Sequence, residues 1–374
     1  MSVSLLRVRE MLKKELRQML RDPKMRRVLF IAPVIQLLAF GYAVNTDIRD
    51  TPTFVIDHDL SMESRDLLDA FESTGYFRIV GRSQQPANLV RALDQGHAIV
   101  GIEIPAGFAK DLASDRGARV QVILDGAESN TATIAMGYAG QIVQQFGVRD
   151  ATGERRPLSG GIDLRSRAWY NPELESRAYN VPGVVGILIL LMSLLLTSMS
   201  VVREREMGTL DQLAVSPLSA TELMLGKTLP PMLVAFIDLF LITAVAILWF
   251  GIPMRGSLFV LLPAAFLYIV AALSMGLLIS SVSRTQQEAF MALFLLLMPA
   301  IILSGFFYPI SSMPEVFQWL TMLNPVRHFL EIVRAVFLKG AGYAPMWRQF
   351  VALAIMAAGA AWVATIRFRR VMAA

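Results

Sequence analysis

The chain has 374 residues, of which 55% are hydrophobic and 17% charged, with a formal net charge of +5 and no cysteine. Soluble proteins carry about a quarter of their residues as charges, so this composition excludes an ordinary soluble domain and marks a membrane protein. The missing cysteines exclude disulfides, thiolate metal sites and cysteine nucleophiles, and the basic excess sits beside apolar runs, which assigns it to membrane topology rather than to nucleic acid.

Residues 4–21 place Leu5, Val8, Leu12, Leu16 and Met19 on one helical face, with Arg9, Lys13, Arg17 and Arg21 among the polar positions. That pattern predicts an amphipathic helix on an anionic lipid surface, and residues 1–27 form a cytoplasmic segment. A basic amphipathic helix is also the pattern of a calmodulin target, but the adjoining apolar run favours membrane attachment. Asp22-Pro23 breaks the helix, and Lys24, Arg26 and Arg27 lead into a first span over 28–44. Nine Lys and Arg precede that span, so the amino terminus is expected in the cytoplasm. The charged stretch ahead of it is too long for a cleavable signal, and the span is expected to stay as an anchor.

From 45 to 180 hydropathy drops and alternation appears. Short β-type runs at 54–57, 77–80, 98–104 and 120–124 are separated by helical patterns at 61–73, 86–95, 106–114 and 131–146, which predicts a compact α/β domain. It follows one inside-to-outside span and is therefore placed outside the cytoplasm. Residues 148–180, with Trp169 and Tyr170, read as an irregular arm returning to the membrane at headgroup level. Asp57-His58-Asp59 followed by Ser61 suits turn and cap duties better than metal binding, and His58, His97 and His328 are too scattered for a metal site.

Five further apolar runs, at 181–202, 228–250, 258–281, 289–307 and 350–366, each have spanning length. The expected fold class is thus an α-helical polytopic membrane protein with six transmembrane helices and an α/β extracytoplasmic domain inserted between the first and second spans. Residues 181–374 form the five-helix remainder, and both termini are expected inside. Arg203, Arg205, Lys227 and Arg284 in the two inner loops, and Arg367, Arg369 and Arg370 in the tail, agree with that side. Ser193, Ser198, Gly276 and Ser280 within the runs suit close helix packing.

Two interruptions stand out. In 203–227, Arg203, Glu204, Arg205 and Glu206 directly follow a span, and then come Gly208, Thr209, Leu210, a Ser216-Pro217 break, and Ser219 with Glu222 at capping-box spacing. The residues allow two readings: a pair of surface helices divided at the proline, or a charged loop that stops the helix. Gly226-Lys227-Thr228 imitates the end of a phosphate-binding loop, but Thr221 stands where its first glycine belongs and an apolar span follows, so the match is a decoy. In 308–345, Pro309, Pro314 and Pro325 divide the segment; Asn324-Pro325 opens a helix with Val326, Phe329, Leu330, Val333 and Phe337 on one stripe and Gly340 as its stop. Arg327, Glu331 and Arg334 lie at spacings suited to mutual ion pairing, on a short helix expected to dip into the outer leaflet. At 283–288, Thr285 and Glu288 have capping-box spacing and read as a plain helix start.

Asp238 is the one acidic residue well inside an apolar run. Intramembrane carboxylates usually face a cavity or partner, so it is read either as a point on a translocation pathway or as a buried packing residue.

The motif R-E-R-E-x-G-T-L-D-Q-L-x-x-x-P-L followed by G-K, with F-V-I-D-H-D-x-S, L-D-G-A-E-S-N-T-A, W-Y-N-P-E-L and V-P-G earlier in the chain, resembles the ABC-2 type export permeases, the drug-efflux-like subgroup with a large external domain. The resemblance implies a non-catalytic transport subunit without cofactor, ATP being used by a separate ABC ATPase that docks on Arg203, Glu204, Arg205, Glu206, Gly208, Thr209 and Leu210. It implies a second permease copy or paralogue, an amphipathic or drug-like substrate, and delivery to a periplasmic adaptor and outer-membrane channel. Arg327, Glu331 and Arg334 would then belong to a re-entrant exit helix. Two other classes fit the residues: a proton-coupled carrier using Asp238, and a membrane-anchored sensor with an external ligand-binding domain.

Overall fold

The computed structural model describes residues 4–43, 50–113, 118–125, 129–147, 176–209 and 219–373. The chain divides into two compact units, one formed by Met1–Asn45 with Ala168–Ala374 and the other by Thr46–Arg167.

The second unit is the α/β insert. Strand β1 (Thr51–Asp57), helix α3 (Met62–Ser73), strand β2 (Phe77–Ser83), helix α4 (Pro86–Asp94), strand β3 (Val100–Ile104), helix α5 (Phe108–Leu112), strand β4 (Gln121–Leu124) and helix α6 (Ser129–Gly147) follow in order. The sheet runs β2-β1-β3-β4, with β1 parallel to both neighbours and β3 antiparallel to β4. Parallel neighbours need crossovers, which α3 and α4 supply. Val55, Ile102, Phe71, Phe77 and Phe108 are buried with Ala135 and Ile142 of α6, and Tyr76 stacks on Tyr138 at 4.0 Å.

Order 2-1-3 puts the topological switch between β1 and β3, where open sheets of this kind hold ligands. Here the place is filled by the chain itself. Asp59 accepts from the Gly107 and Ala109 amides at 2.7 and 3.0 Å. Asp57 accepts from the amides of Asp59 and Leu60, both at 3.0 Å, and from the Ser64 hydroxyl at 2.8 Å. Ser61 caps α3. The turn and cap duties expected of this tripeptide are what it performs.

The first unit is helical. It opens with α1 (Leu5–Arg21) and α2 (Pro23–Ala43) and resumes with α7 (Ser176–Glu206), α8 (Ala220–Leu248), α9 (Leu258–Val282) and α10 (Gln286–Ile302). Short helices α11 (Glu315–Thr321) and α12 (Pro325–Arg334), a π-helical turn at Ala335–Lys339, and α13 (Tyr343–Ala373) complete it. Within them, Met25–Ala43, Arg177–Glu206, Thr221–Leu248, Leu258–Val282 and Tyr343–Arg370 are long and apolar enough to cross a membrane. Where six were expected, five reach that length among the described residues. The run at 289–307 forms a 17-residue helix, α10, about 26 Å long at 1.5 Å per residue and so a little short of the hydrocarbon core. It stops because Pro299 removes a hydrogen bond from its last turn and Gly305, at φ 78°, turns the chain away.

α9 lies at the centre of the helical core and carries no ionisable side chain except Tyr268. Tyr268 is fully buried, donates to the Gly186 carbonyl at 3.0 Å and stacks on Phe329 at 4.1 Å. Gly276 admits α7: a Cβ there would stand 2.9 Å from Thr197 Cβ, the close approach that small residues in membrane helices permit. α12 starts as the sequence predicts, Asn324 capping Val326 N at 3.1 Å with Pro325 in the first turn. Its Val326, Phe329, Leu330 and Val333 are all buried, as is Phe337 in the turn beyond, and Gly340 ends it at φ 64°.

Candidate functional site

At one end of the helical unit five helices converge: Met11 of α1, Val201 of α7, Leu223 of α8, Leu277 of α9, and Ala364 and Phe368 of α13 share one apolar cluster. Around it the charges are ordered. Lys227, only 3% exposed, sits in the second turn of α8, and its Nζ donates to Glu15 Oε1 of α1 at 2.9 Å and to Glu204 Oε1 of α7 at 2.5 Å. Lys14 closes on the same carboxylates at 3.3 and 3.7 Å. Two lysines thus face two glutamates: Lys227 from the interior, Lys14 from the half-exposed side, and buried carboxylates of this kind persist only when their charges are matched.

α1 is held along its length. The Ser4 amide donates to Glu222 Oε1 at 2.7 Å, and Arg7 lies 3.7 Å from the other oxygen. Glu222 also completes the capping box with Ser219 that the spacing predicts. Gly226 leaves room for Met11, whose Cγ is 2.4 Å from where a Cβ would stand. The buried face of α1 is therefore Val8, Met11, Glu15 and Met19, while Leu5 and Leu6 are exposed. Of the expected stripe of Leu5, Val8, Leu12, Leu16 and Met19, Val8 and Met19 are buried against protein together with Met11 and Glu15, because a carboxylate partnered by Lys227 and a glycine on α8 draw that side of the helix in.

The four residues of the R-E-R-E run have different surroundings. Arg203 is exposed and Glu204 buried. Arg205 Nη1 donates to the Ser283 carbonyl at the end of α9, at 2.6 Å. Glu206 accepts from the Gln286 amide at 2.7 Å and from the Gln286 side chain, tying α7 to the start of α10. Gly208, at φ 67°, is exposed, and the Thr209 amide and hydroxyl return to the Glu204 carbonyl. Leu210 and the rest of 210–218, including the proline break, lie outside the described residues. On either side of them the chain forms the ends of α7 and α8 themselves. Thr285 caps α10, its hydroxyl accepting from the Glu288 amide at 3.1 Å.

Around α12, Arg327 pairs with Glu331 at 3.3 Å and donates to the Thr321 hydroxyl at 2.5 Å. The expected mutual trio does not form: Glu331 takes its second partner from Gln349 at 2.8 Å, and Arg334 lies over the Tyr179 ring at 3.7 Å while donating to the Gly305 carbonyl at 3.2 Å. An aromatic face and a free carbonyl at a chain reversal compete successfully with an ion pair one turn away. Asp238 lies on α8, fully buried, with no hydrogen-bond partner on either carboxylate oxygen among the described residues.

Glu15 and Lys227 are the residues that sequence reasoning missed. The signal was present: Glu15 occupies a core position in the 8-11-15-19 spacing of α1, and an acid there calls for a buried cation. Lys227 falls within both the phosphate-loop imitation and the positive-inside count.

A helical unit with a sixth, shorter helix, an α/β insert after the first span, and a charged junction between the second and third spans form a recognisable set. Residues 28–366 match the sequence profile of the ABC-2 family transporter protein. The chain belongs to the ABC-2 transporter family. It is similar to two proteins of Escherichia coli K12 named as probable multidrug ABC transporter permeases. YbhR is 34% identical over 360 residues, covering 96% of this chain and 97% of the relative; YbhS is 32% identical over 377 residues with the same coverage. The inner membrane transport permease YhhJ of the same organism is 27% identical over 371 residues, covering 96% and 95%. As an ABC-2 permease the chain is the non-catalytic, membrane-embedded subunit of an ABC transporter and moves substrate across a membrane.

Proposed function

We propose that this permease exports an amphipathic, drug-like substrate from a bacterial inner membrane, driven by a separate ABC ATPase that docks on the exposed side of 203–227. The observation that carries the reading is the Lys227 ion pair with Glu15 and Glu204. It joins α1, α7 and α8 at the end where the docking segment lies, so a push on Arg203, Glu206 and Gly208 would be delivered to two spans together. In this proposal Glu204 and Arg205 act as internal braces, and the surface that meets the ATPase is Arg203, Glu206, Gly208, Thr209 and Leu210. The names of the E. coli relatives support the inner membrane and a multidrug type of substrate.

Six crossings, with α10 as the fifth, place both termini in the cytoplasm and the α/β unit outside it. What supports an even number is that Met11 near the amino terminus and Phe368 near the carboxyl terminus share one cluster, with Arg369 3.4 Å from Thr221. Five crossings would separate those ends by the thickness of the bilayer. A second permease copy or paralogue would complete the pathway, Asp238 would line it, and the α12 segment with Arg327, Glu331 and Arg334 would close its exit. A periplasmic adaptor leading to an outer-membrane channel is the partner assigned to the α/β unit. That unit's switch-point crevice is filled by Asp59, which favours surface contact over small-ligand sensing.

Co-reconstitution with the ATPase tests this. Outward transport that requires ATP and both subunits is expected; transport by the permease alone, driven by an ion gradient, would overturn it.

A further inference from the structure

A carboxylate with both oxygens buried and unpartnered is costly enough that it must be neutral or bound to a cation. Asp238 is in that position, near the middle of α8, and its surroundings point to a ligand. α2, α7 and α8 meet at a shared cluster of Leu29, Leu196 and Val234. Counting along each helix from that cluster, away from the Lys227 end, Asp238 is four residues beyond Val234, Ser193 three beyond Leu196, and Gln36 seven beyond Leu29. Offsets of three, four and seven keep a helical face, so the three residues continue the stripes on which the helices meet. Each carries a buried oxygen without a hydrogen-bond partner among the described residues: Gln36 Oε1, Ser193 Oγ and both oxygens of Asp238. Four acceptor oxygens and one negative charge, carried on the facing stripes of three apolar helices, offer a receptor for a positive group.

No competing charge lies near. The described parts of α2 from 28 to 43, α7 from 178 to 202, α9, and α13 from 349 to 366 contain no Asp, Glu, Lys or Arg, their ionisable groups there being the phenols of Tyr42, Tyr179 and Tyr268. From α1 the facing groups are Arg7, on Glu222, Lys14, on Glu15 and Glu204, and Glu15, on Lys227, which is about 16 Å from Asp238 along the α8 axis.

We propose that Asp238, Ser193 and Gln36 bind the ammonium or other cationic group of an organic substrate, and that a proton holds the place when the helices are closed. The exchange balances. As the helices part and water enters, the carboxylic acid releases its proton to solvent and the carboxylate pairs with the cation; as the cation leaves, a proton returns. This rests on the exporter reading and narrows its substrate to organic cations.

Dicyclohexylcarbodiimide, which attacks undissociated carboxyls in apolar surroundings, tests it on the full chain with its ATPase in membrane vesicles, read by mass spectrometry of the Asp238 peptide. Labelling of Asp238 is expected near neutral pH, retained in Asp238→Glu and lost in Asp238→Asn. Tetraphenylphosphonium, at rest or during ATP turnover, is expected to slow it about fivefold at a concentration four times its dissociation constant, and neutral triphenylphosphine oxide is not. An unlabelled Asp238, unchanged labelling with the cation, or equal protection by the neutral compound would each overturn the proposal. The labelling itself needs no ATP, so its failure is separable from failure of ATP-driven transport.

Discussion

Lys227 and Glu15, 212 residues apart in sequence, meet at 2.9 Å in the interior of the charged junction. With Glu204 on the other side, the lysine reaches α1 and α7 directly from its place on α8. Replacing it by Met leaves two buried carboxylates with only the half-exposed Lys14 beside them, and Lys227→Met should lower unfolding stability in detergent by about 3 to 5 kcal/mol. Adding Glu15→Gln and Glu204→Gln to that variant should restore most of the loss, because a neutral set no longer needs the cation. A triple variant as unstable as the single one would show that Lys227 acts by packing alone.

Arg203 and Glu204 are neighbours in sequence with opposite burial, which separates docking from bracing. Arg203→Glu should leave the unfolding midpoint within about 0.5 kcal/mol of the original while abolishing stimulation of the ATPase. Glu204→Lys should destabilise the permease by itself, before any ATPase is added. Comparing thermal unfolding with ATP hydrolysis for the two variants checks both halves.

Gly226 is the contact at which α1 lies against α8. A Cβ would come within 2.4 Å of Met11 Cγ and 2.9 Å of its Cβ, atoms too close to the backbone to swing aside. Gly226→Val should cost about 1 to 3 kcal/mol from overpacking, and Met11→Ala should recover part of it. The unfolding midpoints of the two single variants and the double variant give the coupling.

In the α/β unit, the Ser61 side chain first, and then the amides of Ala109, Gly107 and Phe108, hold the Asp59 carboxyl below its ordinary value of 3.8. The depressed value means that Asp59 binds fewer protons folded than unfolded. Its contribution is present above pH 3.8 and is lost as pH falls below that through the folded value. Acid titration of this unit's protease resistance should show the loss in that range. In Asp59→Asn the step should vanish, with resistance already reduced at neutral pH.

The sequence made the architecture of both units legible because each rests on a period: alternation for the strands, long apolar runs for the spans, and Asn324-Pro325 with Gly340 for the bounds of the α12 segment. The junction was legible only in part. The capping box of Ser219 and Glu222 was local and could be read from spacing, whereas the partners of Glu15 and Arg334 come from helices far along the chain. Nothing within one turn of Arg334 indicates that Tyr179 and Gly305 will compete with Glu331. α10 fell short of the expected span because hydropathy continues to 307 while Pro299 and Gly305 end the helix earlier.

The measurement that most directly tests force entry at the charged junction is side-specific labelling of Arg203→Cys, in a chain that has no other cysteine. An impermeant maleimide should modify it in inverted membrane vesicles and not in intact cells, and bound ATPase should block the reaction. Met62→Cys, exposed on the α/β unit, should behave in the opposite way. Modification of Arg203→Cys from outside intact cells, or labelling unaffected by the ATPase, would contradict the account.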